Sequence, residues 1–207
     1  MLVDPTFVSA PPTSFAPMEI ALFHHALGLT DGVIAFADRL RGAGHTVHTP
    51  DMYEGRTFDD LEAGVGHAQE TGFDVIAERG VAAVDGLPDF LVYIGFSLGV
   101  VPAQRLAQTR PGARGAVFCH SALPPEMFGE WPDGMPTQIH YMDGDEWAQE
   151  DIEAIEEIGN KEGAEVLVYE GSAHLFADDG LPDHDPEAAA LMMERILGLL
   201  ESLDDSD

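Results

Sequence analysis

The chain has 207 residues, a usual length for one domain, and 45% of them are hydrophobic, enough to bury a core. Lysine and arginine together number 9 against 38 aspartates and glutamates, so the formal net charge is −29. A chain this acidic repels phosphate backbones and anionic lipids, which excludes nucleic-acid and membrane-surface binding from the expected functions. Cys119 is the single cysteine, so no internal disulfide can form and a reducing, cytoplasmic location is expected.

The acidity has two explanations. It provides either a surface that binds a partner or an adaptation to high salt, in which carboxylates keep the protein hydrated while counterions screen their repulsion. The acidic residues are spread along the whole chain, and Lys161 is the one lysine. This distribution favours a halophilic cytoplasm.

The predicted elements begin after an irregular arm over residues 1–17, which contains four prolines and is either native or an extension upstream of a start at Met18. One domain is expected over residues 18–203, followed by a short acidic tail at 204–207. The first residues lack the pattern of a signal peptide, and no apolar run is long enough to span a membrane.

Within that domain, predicted strands alternate with predicted helices. Apolar runs predict strands over 18–24, 45–49, 90–94, 113–119, 137–142 and 164–169. Helical spacing predicts helices over 31–43 (with Asp31 as the cap), 57–70, 73–84, 98–108, 147–162 and 186–203. This order predicts an α/β fold with a mostly parallel sheet covered on both faces, and sites at the carboxyl ends of its strands.

A candidate nucleophile follows the third predicted strand. Gly95-Phe96-Ser97-Leu98-Gly99 fits the G-x-S-x-G pattern and lies between a strand and a helix. In that context the turn exposes the serine hydroxyl above the sheet, and the two glycines let strand and helix approach closely. The pattern therefore predicts that Ser97 is a catalytic serine.

A catalytic serine needs a base that a third group orients, and later loops supply both. His174 follows the last predicted strand among small residues, whereas its rival His184 lies among acidic residues near a helix start. Asp145 follows the strand over 137–142 and is the preferred acid, although Asp143 is nearer to that strand. The predicted triad is thus Ser97, Asp145 and His174, with Asp143 as the alternative acid.

The remaining site candidates surround the predicted triad. Backbone N–H groups of Leu98 and Ala26 are the candidate oxyanion donors. His25, His120 and Phe176 are the candidate residues of the substrate pocket, and His25 has the alternative role of a neutral, hydrogen-bonded residue that shapes its loop. The histidines show no spacing typical of metal ligands, so neither a metal nor a cofactor is expected.

Five segments together resemble the dienelactone hydrolase family of α/β-hydrolases. They are HALGL (25–29), GHTVHTPDMYEGRTF (44–58), GFSLG (95–99), DGDEW (143–147) and YEGSAHLFAD (169–178). The resemblance covers residues 18 to 200. It implies an α/β-hydrolase fold without a large cap domain, and cofactor-free hydrolysis of esters or lactones in the cytoplasm.

Three departures from the family pattern limit what the resemblance implies. The best-known members have a cysteine where this chain has Ser97. Those members have a glutamate that contacts the nucleophile at the position of His25. They also have an arginine that binds the substrate carboxylate at a position near Asp178. The loss of that arginine's positive charge and the gain of a negative charge there argue against a small dianionic lactone as the substrate.

The expected function is therefore a serine hydrolase that cleaves an ester, lactone or thioester of a small molecule through an acyl-enzyme. Two alternatives stay open. One is a protein with a hydrolase fold that binds a ligand without turnover, and the other is an acyltransferase. Either a monomer or a homodimer fits the sequence.

Overall fold

The computed structural model describes residues 16–204. Of the expected arm over 1–17, only residues 16 and 17 lie within this range. Residues 205–207 of the expected tail also lie outside it. The strands are β1 (Glu19–Phe23), β2 (Thr46–His48), β3 (Leu91–Phe96), β4 (Gly115–Cys119), β5 (Thr137–Met142) and β6 (Ala164–Tyr169). The helices are α1 (Asp31–Gly42), α2 (Leu61–Thr71), α3 (Phe73–Ala82), α4 (Val100–Thr109), α5 (Glu146–Glu150), α6 (Ile152–Gly159) and α7 (Pro186–Asp204).

The six strands form one sheet in the order β2-β1-β3-β4-β5-β6. All five pairings are parallel, as the alternation of strands and helices predicts. All residues of β3, β4 and β5 are buried, because helices cover both faces of the sheet. The parallel pairing brings the carboxyl ends of the strands to one edge of the sheet.

The hydrophobic core lies in two layers, one on each face of the sheet. On β1, Ile20 and Leu22 belong to the layer under α1 and α7, whereas Ala21 and Phe23 belong to the layer under α2, α3, α4 and α6. This alternation follows from the two-residue period of a strand. The layers fix the strand positions, and the strands in turn fix where each loop leaves the sheet.

Some element ends differ from the sequence prediction because side chains cap the helices at other residues. Thr30, and not Asp31, caps α1, since its hydroxyl accepts the Val33 N–H at 3.2 Å. Asp60 caps α2 by accepting the Ala63 N–H at 2.8 Å, so this helix begins at Leu61 instead of near residue 57. The helix predicted over 147–162 is two helices, α5 and α6, which meet at Asp151.

None of the helices described between residues 16 and 204 is both long and apolar enough to cross a membrane.

Candidate active site

A tight turn follows β3 and carries Ser97. The strand runs one residue beyond Gly95 to Phe96, and a single 3₁₀ turn over Ser97–Gly99 precedes α4. Ser97 has φ +48°, a left-handed conformation that costs a non-glycine residue roughly 1–3 kcal/mol. Backbone strain of this kind aims the serine side chain above the sheet edge.

Both glycines of the turn are required by close backbone contacts. A Cβ atom on Gly95 would lie 2.4 Å from the Gly99 carbonyl oxygen. A Cβ atom on Gly99 would lie 2.3 Å from the carbonyl oxygen of Phe23, the last residue of β1. The turn therefore packs directly against the end of β1, which brings Ser97 beside the loop that follows β1.

The structure brings Ser97, His174 and Asp145 into one chain of hydrogen bonds. Ser97 Oγ lies 2.8 Å from His174 Nε2, and His174 Nδ1 lies 2.7 Å from Asp145 Oδ2. A carboxylate only accepts hydrogen bonds, so Nδ1 carries the proton and Nε2 is left to accept the serine hydroxyl. This arrangement suits a base that removes the serine proton.

The two candidate acids have different surroundings. Asp145 is 1% exposed, and its second oxygen accepts the Trp147 N–H at 3.0 Å. Asp143 is exposed and accepts the Gly171 N–H at 3.1 Å, so it binds the backbone of the loop that carries His174. The geometry favours Asp145 as the partner of His174. The rival base His184 instead binds the Phe176 carbonyl through Nδ1 at 2.9 Å.

The loop after β1, which carries the candidate oxyanion donor Ala26, is held by backbone contacts. The Phe58 N–H donates to the Leu27 carbonyl at 3.0 Å. A Cβ atom on Gly64 would lie 2.2 Å from the Ala26 carbonyl oxygen, so α2 rests directly on the loop. Ala26 and Leu98, the other candidate donor, follow the carboxyl ends of the neighbouring strands β1 and β3.

The three residues expected to line the substrate pocket are all buried. His25, His120 and Phe176 are each 0% exposed. His25 donates from Nε2 to Asp178 Oδ2 at 2.8 Å, so its ring turns toward that carboxylate. Phe176 packs between His120 and Tyr169, with ring centroids 5.0 and 5.1 Å away.

His120 lies beneath the catalytic candidate His174, with ring centroids 5.6 Å apart. Its φ of +73° is a left-handed backbone conformation that is uncommon for a residue other than glycine. Within residues 16–204, neither ring nitrogen of His120 has a hydrogen-bond partner. Burial, and then the nearby His174, lower its pKa well below the usual value, so the ring is neutral.

An open cavity of about 280 Å³ lies beside the triad. Its lining combines His174 with apolar and acidic side chains, namely Leu27, Leu61, Leu175, Leu181, Pro182, Asp59, Asp60 and Asp183. No lysine or arginine is among these residues. The cavity therefore offers a small apolar surface with a negative rim.

The sequence prediction missed two polar groups near the triad. Ser121 donates to Asp151 at 2.6 Å where α5 meets α6, and burial raises the pKa of this carboxyl although the Ser121 bond lowers it. Asp178, seen only as a departure from the family pattern, is buried against His25. Both contacts join distant parts of the chain, so the hydrophobic periodicity carries no signal of either.

Among the described residues, no group of three or more histidines, cysteines, aspartates or glutamates is arranged to hold a metal ion.

Comparison with known proteins identifies both the family and the fold. The model of the dienelactone hydrolase family matches residues 5–203. No curated protein matches the chain significantly.

Several solved structures resemble the chain over most of its length. A dienelactone hydrolase-like promiscuous phosphotriesterase from metagenomic libraries is 24% identical, with a TM-score of 0.69 over 92% of this chain and 88% of the other. Mouse alpha/beta hydrolase domain-containing protein 10 is 14% identical, with a TM-score of 0.66 over 90% of each chain. A cold-adapted esterase from an Arctic intertidal metagenomic library is 16% identical, with a TM-score of 0.61 over 90% of this chain and 84% of the other. These likenesses show the α/β-hydrolase fold.

Proposed function

The chain belongs to the dienelactone hydrolase family, and from this premise we propose that it is a serine hydrolase that cleaves a carboxylic ester, lactone or thioester of a small substrate. The observation that carries the proposal is the chain of hydrogen bonds from Ser97 through His174 to Asp145, with distances of 2.8 and 2.7 Å. Nucleophile, base and orienting acid stand in the order that activates a serine.

Acylation begins when His174 Nε2 takes the hydroxyl proton and Ser97 Oγ attacks the substrate carbonyl carbon. Asp145 stabilises the imidazolium that forms and holds Nδ1–H toward itself. The carbonyl oxygen becomes an oxyanion, which the N–H groups of Leu98 and Ala26 stabilise. As the tetrahedral intermediate collapses, the bond to the leaving group breaks and His174 returns the proton to that group.

Deacylation repeats these steps with water as the nucleophile. His174 takes a proton from water, hydroxide oxygen attacks the acyl carbon, and the bond to Ser97 Oγ breaks as the proton passes back to the serine. The products are a carboxylic acid and an alcohol or thiol, or one hydroxy acid when the substrate is a lactone.

The cavity beside His174 supports a small substrate. Its volume of about 280 Å³ is at the lower end of ligand-binding pockets, and its apolar lining suits a short hydrocarbon group. The negative rim of Asp59, Asp60 and Asp183 disfavours a carboxylate on the substrate. We therefore include in the proposal a small-molecule ester or lactone that carries no carboxylate.

We also propose that the protein works in a salt-rich cytoplasm. Its single cysteine, Cys119, is a buried free thiol, and burial raises its pKa well above the usual value, which keeps it protonated. The net charge of −29 leaves most surface carboxylates without a basic partner. Screening by counterions would relieve their mutual repulsion.

A fluorophosphonate probe tests the proposed nucleophile directly. The wild-type protein and Ser97→Ala are treated with the probe at low and at molar salt, and the adduct is located by intact mass and peptide mapping. A single adduct on Ser97 that is absent from the variant is the expected result. A folded wild-type protein that takes no label at either salt concentration contradicts the proposal and favours a ligand-binding protein.

A further inference from the structure

A second acid–imidazole pair lies buried beside the triad. His25 Nε2 is 2.8 Å from Asp178 Oδ2, and the two side chains are 0% and 2% exposed. His25 belongs to the loop after β1, and Asp178 belongs to the loop that carries His174. The pair therefore joins two loops of the proposed active site that are 153 residues apart in the chain.

The hydrogen bonds fix which atoms carry protons. His25 Nδ1 accepts the Leu27 N–H at 3.3 Å, so the ring proton is on Nε2 and is donated to Asp178. Asp178 Oδ2 also accepts the Thr30 hydroxyl at 2.7 Å, and Oδ1 accepts the Gly180 N–H at 2.8 Å. Three donors thus converge on one carboxylate, and every polar atom of the pair has a partner.

The same contacts keep Asp178 ionised. Burial alone would raise its pKa, but the hydrogen bonds from His25, Thr30 and Gly180 together outweigh burial and lower it. A buried, hydrogen-bonded carboxylate contributes less to stability than its short distances suggest, because its burial carries a desolvation cost that apolar side chains of similar volume avoid. The geometry of the pair is therefore better explained by what it positions.

The pair positions Ala26 and the two peptide groups that join it to His25 and Leu27. The ring of His25 is held by Asp178 at one nitrogen and holds the Leu27 N–H at the other. Ala26, whose N–H is a proposed oxyanion donor, lies between these two fixed residues. A rotation of His25 would turn the adjoining peptide planes and carry the Ala26 N–H away from the oxyanion.

We propose that His25 and Asp178 are positioning residues that hold the Ala26 N–H in place for the oxyanion and tie it to the loop of His174. This inference rests on the proposed function. It also gives a role to two of the three departures from the family pattern, the one at His25 and the one near Asp178. Neither residue touches the reacting atoms, so both act through the backbone of the loop after β1.

Substitutions at both ends of the pair test the inference. His25→Leu breaks the network because leucine has no N–H to donate to Asp178. Asp178→Asn also breaks it, because in either orientation the asparagine NH₂ group faces a donor, either His25 Nε2–H or the Gly180 N–H. His25→Gln keeps a side-chain N–H that reaches Asp178. The matched control is His45→Leu, which removes another buried histidine, one that accepts the Met18 N–H at 3.2 Å at the opposite edge of the sheet.

Three measurements separate positioning from general stability. They are kcat and KM on a short-chain ester, the affinity for a trifluoromethyl ketone that forms an oxyanion, and the midpoint of urea unfolding. Loss of an oxyanion donor lowers kcat roughly 10²–10³-fold, and a displaced donor should lower it roughly 10–100-fold. We expect that loss in His25→Leu and Asp178→Asn, with a parallel loss of ketone affinity and little change in KM.

His25→Gln should recover most of kcat, and His45→Leu should lower only the unfolding midpoint. Folded His25→Leu and Asp178→Asn proteins that keep kcat and ketone affinity would overturn the inference. If His25→Leu does not fold, the isosteric Asp178→Asn decides by the same criteria. A wild-type protein that neither hydrolyses esters nor takes the fluorophosphonate would instead refute the proposed function, so the two failures are distinct.

Discussion

Replacing Asp145 by asparagine should abolish most of the activity without unfolding the protein. The two carboxylate oxygens of Asp145 accept from His174 Nδ1 at 2.7 Å and from the Trp147 N–H at 3.0 Å. An asparagine has one acceptor oxygen, and the Trp147 N–H requires it. The NH₂ group then faces His174 Nδ1 and forces the ring proton onto Nε2, where it blocks acceptance of the Ser97 proton.

The expected loss follows from this wrong tautomer. It should lower kcat by about 10⁴-fold, which corresponds to about 5 kcal/mol of transition-state stabilisation. The assay is steady-state hydrolysis of a chromogenic short-chain ester, with circular dichroism to establish that the variant is folded. Asp143→Asn is the control, because this exposed carboxylate contacts only the Gly171 N–H among the groups of the site.

We expect Asp143→Asn to keep kcat within about threefold of the wild type, since it leaves the His174 tautomer unchanged. The opposite pattern, in which Asp145→Asn retains a tenth or more of the wild-type kcat and Asp143→Asn is inactive, would refute the reasoning. It would mean that the loop exchanges its two carboxylates during turnover.

Four further predictions concern the turn, pH, salt and substrate charge. Gly99→Ala should prevent stable folding or lower the unfolding midpoint sharply, because its Cβ would lie 2.3 Å from the Phe23 carbonyl oxygen; a variant with unchanged urea unfolding would contradict this contact. Burial lowers the pKa of His24 to about 4, whereas the unfolded chain takes up this proton near 6.5, so stability from the neutral ring is complete above about pH 6.5 and declines toward pH 4. The free energy of unfolding, measured with urea over this range, should fall more steeply with decreasing pH in the wild type than in His24→Asn, by on the order of 3 kcal/mol in total. Equal slopes for the two proteins would contradict the lowered pKa of His24. Molar KCl should raise the melting temperature and kcat/KM if the net charge of −29 reflects adaptation to salt, and a maximum at low salt would reject that explanation. The acidic rim should favour acetylcholine over its neutral isostere 3,3-dimethylbutyl acetate in kcat/KM at low salt, and an Asp59→Asn/Asp183→Asn double variant should reduce this preference; an unchanged ratio would show that the rim does not contact the substrate.

The sequence predicts the ends of the strands best where turn-forming residues stand on both sides of a strand. β5 and β6 begin and end at the predicted residues, because Pro136 and Gly144 bound the first strand and Gly163 and Gly171 bound the second. The parallel sheet and the α/β-hydrolase fold are also confirmed, because strands and helices alternate along the chain as predicted. The order of Ser97, Asp145 and His174 along the chain was also informative, since each residue follows a strand and parallel strands end at one edge of the sheet.

The sequence predicts poorly whatever depends on torsion angles or on distant partners. His25 and His120 follow strands just as the triad residues do, yet their side chains are buried. Strand spacing shows where the chain leaves the sheet but does not reveal the left-handed φ of +73° at His120. The Asp178 carboxylate that captures His25 comes from the far end of the chain, so local patterns contain no trace of it.

In the proposed serine hydrolase, the order of the strands along the chain also determines when activity first arises during synthesis. Ser97 follows the strand at the middle of the sheet, but His174 follows β6, the edge strand that leaves the ribosome last among the six. A growing chain therefore carries the proposed nucleophile for much of translation without the proposed base that would activate it. We expect partly made chains that lack His174 to be chemically silent, so that esterase activity, once it appears, would report that the final strand has joined the sheet.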